Sequence, residues 1–400
     1  MIALRVFIPF ALGYFLSYLL RVVNAVIAPD LVAELGLTAA DLGLLTSANF
    51  LAFAAAQLPL GILLDRYGPR RTEAALLLFA ALGAFIFAHA ASTPWLMTGR
   101  ALIGLGTSAC LMAAFKAYVM WFSSDRIPLI NGLQMTAGGL GAVTGTIPVE
   151  AALQLTDWRG LFVIFSAAAL VFSSAIFFVV PKRLSGETSS GSMKDQLDGF
   201  RQIFVNPRFW RIAPMTIASQ SMFLGTQSLW SGPWLADVGG LGRADVAQHL
   251  LLIAIAMVAG FLSMGIIAER LGRIGVNTVT VAFSGMMLFA IIQVPMALQW
   301  TGGALPMWML FGFLGTCGIL PYAALPREFP PELAGRVITG LNVFTFSGAF
   351  ACQWSIGAII NLWPATSTGG YAPEGYQAAF WVMIGIQALG IMWYQVYRKN

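Results

Sequence analysis

Apolar runs of twenty residues and more follow one another along almost the whole of this 400-residue chain. A helix needs about 20 such residues to cross the hydrocarbon core of a bilayer, so a chain built this way is committed to a membrane. The runs are continuous and lack the ten-residue alternation of a transmembrane barrel strand, so the spans are helical. Charged residues supply 10% of the chain and hydrophobic ones 58%, against about 25% charged in a soluble domain. The mean hydropathy is +0.79. One polytopic, all-α membrane bundle is expected, and a string of soluble domains is excluded.

Dividing the runs at turn and charge clusters gives twelve spans, near 6–28, 40–64, 72–92, 95–122, 127–154, 158–181, 208–236, 244–268, 274–298, 303–325, 337–361 and 376–397. The longest polar stretch carries Ser-Gly-Glu-Thr-Ser-Ser-Gly-Ser. It reads as a linker over 182–207 between an N-terminal six-helix bundle (1–181) and a C-terminal one (208–400). With the N-terminus inside, seventeen of the 22 Lys and Arg fall on the inner face and only Arg159 and Arg243 on the outer. Cations are retained on the cytoplasmic side, so both termini are expected there. Four Lys against eighteen Arg suits a GC-rich bacterial genome, hence a bacterial cytoplasmic (inner) membrane. Met1 to Pro29 leads into the next span without a cleavage pattern, so no removable signal peptide is expected.

The net charge of +5 is scattered over short loops, which suits membrane orientation and not nucleic-acid binding. Cys110, Cys317 and Cys352 lie unpaired in apolar runs, and His89 and His249 are far apart, so neither a disulfide framework nor a metal site is expected. No cofactor is implied. No G-x4-G-K-[ST] loop occurs, so any energy comes from gradients.

The most specific feature is a repeat. Gly61-Ile-Leu-Leu-Asp65-Arg66-Tyr-Gly68-Pro-Arg70-Arg71 joins the second and third spans, and 204 positions later Gly265-Ile-Ile-Ala-Glu269-Arg270-Leu-Gly272-Arg273 joins the eighth and ninth. Duplication of one membrane-embedded unit explains the spacing, and paired repeats are the usual build of a secondary transporter. Gly61 permits close helix approach, Asp65 can accept from a helix N-terminus or pair with an arginine, and Gly68 allows the reversal. A simpler reading makes these turn residues and membrane anchors.

These residues resemble the major facilitator superfamily of secondary transporters over essentially the whole chain. Its signature G-x-x-x-D-R-x-G-R-[RK] is matched by Gly61, Asp65, Arg66, Gly68, Arg70 and Arg71, with Pro69 shifting the basic residues by one. The resemblance implies twelve helices in two pseudo-symmetric bundles that rock about a central site. It also implies that Gly61, Asp65, Arg66, Gly68 and Arg70, with Glu269 and Arg270, latch the inner side in the outward-open state. Arg100-Ala-Leu-Ile-Gly104-Leu-Gly106 is similar to a fourth-helix pattern of the family sometimes tied to coupling, so Arg100 is a gating, coupling or structural residue. Gly132, Gly141 and Gly145 begin an antiporter pattern that the chain does not complete, and tight helix packing explains them equally well.

An ionisable residue inside a bilayer needs a reason, since it costs ~2.5–3.5 kcal/mol at a helix centre. Arg21 shares one face of the first span with Tyr14, Ser17 and Asn24, and Tyr18 lies beside them. That face is expected to line an aqueous cavity; the alternative is that Arg21 snorkels to the outer headgroups. Lys116 is open between substrate binding and snorkelling. No deeply buried Asp or Glu is expected in the spans, so the counter-charge of Arg21 is expected to arrive with the substrate. Polar faces of the second half add Gln220, Gln227 and Trp230, then Tyr322 beside Pro321, then Asn342, Thr345 and Gln353, with Trp354 nearby.

The expectation is therefore secondary active transport of a small organic anion, a carboxylate or a phosphate-bearing metabolite, by a monomer surrounded by lipid. Efflux of amphipathic compounds by the same fold is the alternative, and Arg21 separates the two. A membrane enzyme would need a nucleophile–base or metal constellation that two distant histidines do not provide. A sensor would need a signalling domain that is not visible.

Overall fold

The computed structural model describes residues 2–123, 126–182, 193–330, 333–366 and 370–397. Arg183, Arg398, Lys399 and the Ser/Gly-rich core of the expected linker lie outside them. Among the described residues the fold is helical with no strand. Nine helices among these described residues are long and apolar enough to cross a membrane by length and composition.

The first pass is α1 (Ile2–Val22) continued by α2 (Asn24–Leu35), and α3 (Ala39–His89) makes the second and third. Gly68, at φ +75°, turns α3 back on itself, a backbone that L side chains rarely adopt. α4 (Thr93–Thr107) runs into α5 (Cys110–Trp121), α6 (Ile127–Thr144) into α7 (Ile147–Ala152), and α8 (Trp158–Val179) completes the first half. α9 (Met193–Val205) packs on the second half. There α10 (Pro207–Gly225) passes through a π turn (Thr226–Trp230) into α11 (Ser231–Asp237). α12 (Arg243–Arg273), α13 (Thr278–Ile291) with α14 (Gln293–Ala297), α15 (Ala304–Gly315) with α16 (Leu320–Ala324), α17 (Ala334–Ile360) and α18 (Pro373–Tyr397) follow. Read through their breaks, these helices follow the order of the expected spans, with α1–α8 ahead of the expected linker and α10–α18 after it.

Polar caps mark the starts. Thr38 and Asp41 form a reciprocal capping box, and Asp157, Asn206 and Asn277 each accept a backbone N–H at the head of the next helix. Glycines set the closest approaches. A Cβ on Gly104 would collide with the Asn49 carbonyl, and one on Gly106 with the Ala80 amide, so the helix-4 glycine pattern packs α4 against α3. Gly141 and Gly145 pack in the same way on Phe15 and Val22, whereas Gly132 faces open space. Without a hydrophobic force between helices in lipid, such contacts supply the association.

Irregular backbone in a bilayer is tolerated where it is buried in protein or lines a cavity. The breaks obey this rule: Thr107 and Ser108 between α4 and α5, and Ile319 just ahead of Pro321, line one central cavity.

Candidate functional site

Between the halves lies a cavity of about 390 Å³. α1 contributes Tyr14, Ser17, Tyr18 and Arg21, and the first leg of α3 adds Phe53 and Gln57. The second half contributes Gln220, Tyr322, Asn342, Thr345 and Phe346. Of the residues singled out from sequence, Tyr14, Tyr18, Arg21, Gln220, Tyr322 and Asn342 thus come together on one space. The two halves touch across it, where the Asn342 side-chain amide donates to Gln57 Oε1 at 3.5 Å. Tyr322 donates to Thr345 Oγ1 at 3.1 Å and Gln220 to the Gly315 carbonyl at 2.8 Å.

Arg21 is the cation of this cavity. It is 7% exposed, and its guanidinium lies 4.8 Å from the Tyr18 ring centre and 5.5 Å from those of Phe53 and Phe346. Ring faces attract a cation but do not neutralise it. Among the described residues no carboxylate pairs with Arg21, and its Nε lacks a hydrogen-bond partner. A guanidinium so held offers its planar fork to an incoming oxyanion.

Other expected site residues lie elsewhere. Asn24 sits beyond the break at Val23 and accepts a hydrogen bond from Arg100 while donating to the Arg21 carbonyl. Arg100 is fully buried, donates also to the Leu20 carbonyl at 3.1 Å, and stacks over Phe87 and Phe162. It therefore ties α4 to α1. Gln227 lies within the π turn and faces a small pocket with Val22, Gly145 and Thr146. Trp230 donates to the Gln353 carbonyl at 2.9 Å, and the Gln353 amide reaches Gly225 and Ser228; Trp230 and Gln353 thus brace helices instead of lining the central space. Trp354 is 42% exposed on the bundle's outside. Lys116 pairs with Asp65 at 2.5 Å and donates to the Leu64 carbonyl, so its charge is already matched.

Two kinds of residue escaped the sequence reading. Gln57, Thr107 and Ser108 line the cavity from passes where no polar stripe drew notice; a glutamine inside Ala-Ala-Ala-Gln-Leu-Pro was the available signal. The expectation of no buried acid is also corrected. Glu73 is 0% exposed and neither carboxyl oxygen has a hydrogen-bond partner among the described residues. It follows Arg70 and Arg71 so closely that it resembles a loop residue, yet Gly68 and Pro69 have already turned the chain into its third pass.

The two ends of the bundle differ. At the end rich in arginine, the ion pairs of the described residues stay within one half: Asp65 with Lys116, Arg211 with Glu328 at 2.6 Å, and Arg273 with Glu269 at 2.7 Å. Arg70 donates to the Phe177 carbonyl of its own half, Arg66 lies over Tyr67, and Arg270 is exposed. At the opposite end Arg243 of α12 reaches across to the first half. It meets Asp30 of α2 at 2.7 Å and Glu150 of α7 at 2.7 Å. Close by, Gly232 of α11 packs on the Ala25 backbone. Glu34 accepts from Arg159 and Trp158 at the same end; these bonds, Arg159 first, hold its carboxyl below the usual range. The halves are clamped at this end.

Comparison with known proteins agrees with this architecture. The chain is 24% identical over 378 residues to the "Probable sulfoacetate transporter SauU" of Cupriavidus necator, covering 92% of this chain and 82% of that one. It is 27% identical to the hexuronate transporter of Escherichia coli, over 59% of this chain and 58% of that one. Its fold is similar to the crystal structure of a bacterial homolog of the human lysosomal transporter Spinster, at a TM-score of 0.76 and 16% identity over 97% of this chain and 95% of that one. The family model of the Major Facilitator Superfamily matches residues 10–352. The chain is a membrane-spanning member of the Major Facilitator Superfamily of transporters.

Proposed function

We propose that this protein carries a small organic anion across the bacterial cytoplasmic membrane by alternating access. The observation that carries the reading is Arg21, a buried guanidinium on the central cavity with no carboxylate partner among the described residues. An unpaired buried cation is costly, and a substrate carboxylate, sulfonate or phosphate would supply the missing charge. Relatives named for sulfoacetate and hexuronate transport support the same class. Asn342, Gln220 and Tyr322 would orient the uncharged part of the cargo from the second half.

The arginine-rich end is read as cytoplasmic by the retention of cations there, with bundles at 1–181 and 208–400 joined by 182–207. With the opposite end clamped, the structure corresponds to an inward-facing state. The Asp65 loop and its Glu269 copy would close the cytoplasmic side in the other state. The Phe53, Leu111, Met112 and Phe115 lining favours the second reading, efflux of amphipathic compounds. The two are separated by a thermal-shift screen of the purified protein against carboxylates, sulfonates, phosphates and amphipathic cations. A ligand of the folded state raises its apparent stability. Anions are expected to stabilise the wild type and not Arg21→Gln. Stabilisation by neutral or cationic compounds alone would defeat the anion reading.

A further inference from the structure

The wall of the central cavity limits which anion fits it. Arg21 is the one Lys or Arg among the described lining residues, and no Asp or Glu joins it there. One negative charge is therefore matched. A second carboxylate, or a doubly charged phosphate, would lie against a wall with no second cation, and an unpaired buried charge is costly. The rest of the wall is mostly hydrocarbon. α5 turns Leu111, Met112 and Phe115 inward, and Leu224 of α10, Phe261 of α12 and Ile319 add to the same apolar lining. Phe53 and Phe346 meet across the halves with ring centres 4.1 Å apart, beside the guanidinium. Tyr14 and Tyr18 meet edge to face at 5.2 Å, and the Tyr14 hydroxyl turns to the Met135 thioether at 3.7 Å.

The polar groups of this wall are already engaged by the protein. Thr107 donates to the Ile103 carbonyl at 2.9 Å, Ser108 to the Leu105 carbonyl at 2.7 Å, and the Gln57 amide to the Phe53 and Ser108 carbonyls at 3.5 Å. Tyr322, Gln220 and Asn342 commit donors in the same way to Thr345, Gly315 and Gln57. Each still carries an acceptor oxygen, which suffices to orient one edge of a cargo. A row of sugar-like hydroxyls would find few partners here, and an unmet hydroxyl in an apolar site costs free energy. The volume of about 390 Å³ suits a small ligand, whose sites are mostly apolar with a few placed polar groups. We infer that the cargo is a monoanion on an apolar body. Its single carboxylate takes the fork of Arg21, and its hydrocarbon or aromatic frame lies against Phe53, Phe346 and the α5 face. Sugar acids, dicarboxylates and phosphate esters fit this wall poorly.

The inference rests on the anion-carrier reading and narrows it, and its test separates the two. Isothermal titration calorimetry on the purified full-length protein uses four probes. Phenylacetate carries one charge on an apolar body. Phenylsuccinate adds a second carboxylate, glucuronate replaces the body by hydroxyls, and phenylacetamide removes the charge. Phenylacetate is expected to bind at least about tenfold more tightly than each of the others, the lower end of what one group is worth in an apolar pocket. Arg21→Gln is expected to lose that binding. If glucuronate or phenylsuccinate binds as tightly as phenylacetate, the cargo class is overturned and the anion reading stands. If phenylacetamide binds as tightly as phenylacetate, or Arg21→Gln keeps the wild-type affinity, the charge is not what is recognised, and the anion reading falls together with this inference. Absence of phenylacetate binding at millimolar concentration overturns the inference whatever the other probes do. Should Arg21→Gln fail to fold, the acid against its amide in the wild type reads the charge requirement.

Discussion

Arg21 is held where it costs stability, and that cost is measurable. Removing the charge while keeping a similar shape should make the empty protein more stable by about 0.5–2 kcal/mol, as is common when a strained functional residue is replaced. The same change should remove the stabilisation given by an anion, about 1.5–3 kcal/mol for a charge-assisted contact. Paired thermal unfolding of wild type and Arg21→Gln, with and without anion, reads both effects. A variant less stable than wild type in both conditions would mean that Arg21 is structural. Glu34 gives a second test at this scale. Its folded-state carboxyl is held low by Arg159, so its contribution is present above the ordinary carboxylate value and is lost as pH falls through the lowered one. With the side chain 45% exposed, the effect is only about 0–1 kcal/mol. Glu34→Gln should therefore unfold below the wild-type temperature at neutral pH and converge with it in acid.

Helix breaks decided which polar stripes could be read in advance. Tyr14, Ser17 and Arg21 were legible because α1 is regular across them, and residues three, four and seven apart on a regular helix share a face. Asn24 continues that stripe in sequence, but the break at Val23 turns it toward Arg100. Gln220 and Gln227 are likewise seven apart, yet the helix widens into the π turn Thr226–Trp230, which contains Gln227. One inserted residue rotates everything after it by about 100°. The apolar runs made the passes legible; the breaks arise from packing between passes, which no single run records. The reversal loop has its own consequence. Asp65 is engaged by Lys116 here, so under the proposed latch it would close the cytoplasmic side only when that pair opens. Lys116→Gln should shift the population toward the cytoplasm-closed state, seen as slower labelling of a cysteine at Asn342 from the cytoplasmic side. In an Asp65→Asn background the same substitution should have no further effect. Equal shifts in both backgrounds would show that Asp65 is no latch.

Across the whole molecule, the described ion pairs that join the halves, Arg243 with Asp30 and with Glu150, lie at one end. Among the described residues the arginine-rich end has only pairs internal to a half. On the proposed alternating-access reading this asymmetry holds one of two states by its far end, and a ligand or mutation moves the balance only by its differential effect on the two states. Arg243→Ala removes contacts made only in the clamped state. It should raise labelling of a cysteine placed at Ser231, buried behind the clamp, from the outer side, and lower labelling at Asn342 from the cytoplasmic side. The native cysteines are buried and can be left in place as silent controls. Arg243 and Lys116 sit at opposite ends with no shared partner, so their substitutions act on one equilibrium through independent contacts and their free energies should add. A double variant whose shift matches the sum of the singles supports a single rigid rocking motion. Ends that respond separately, with the Ser231 site opening while the Asn342 site keeps its wild-type labelling, would show that the halves open as independent gates instead of moving as bodies.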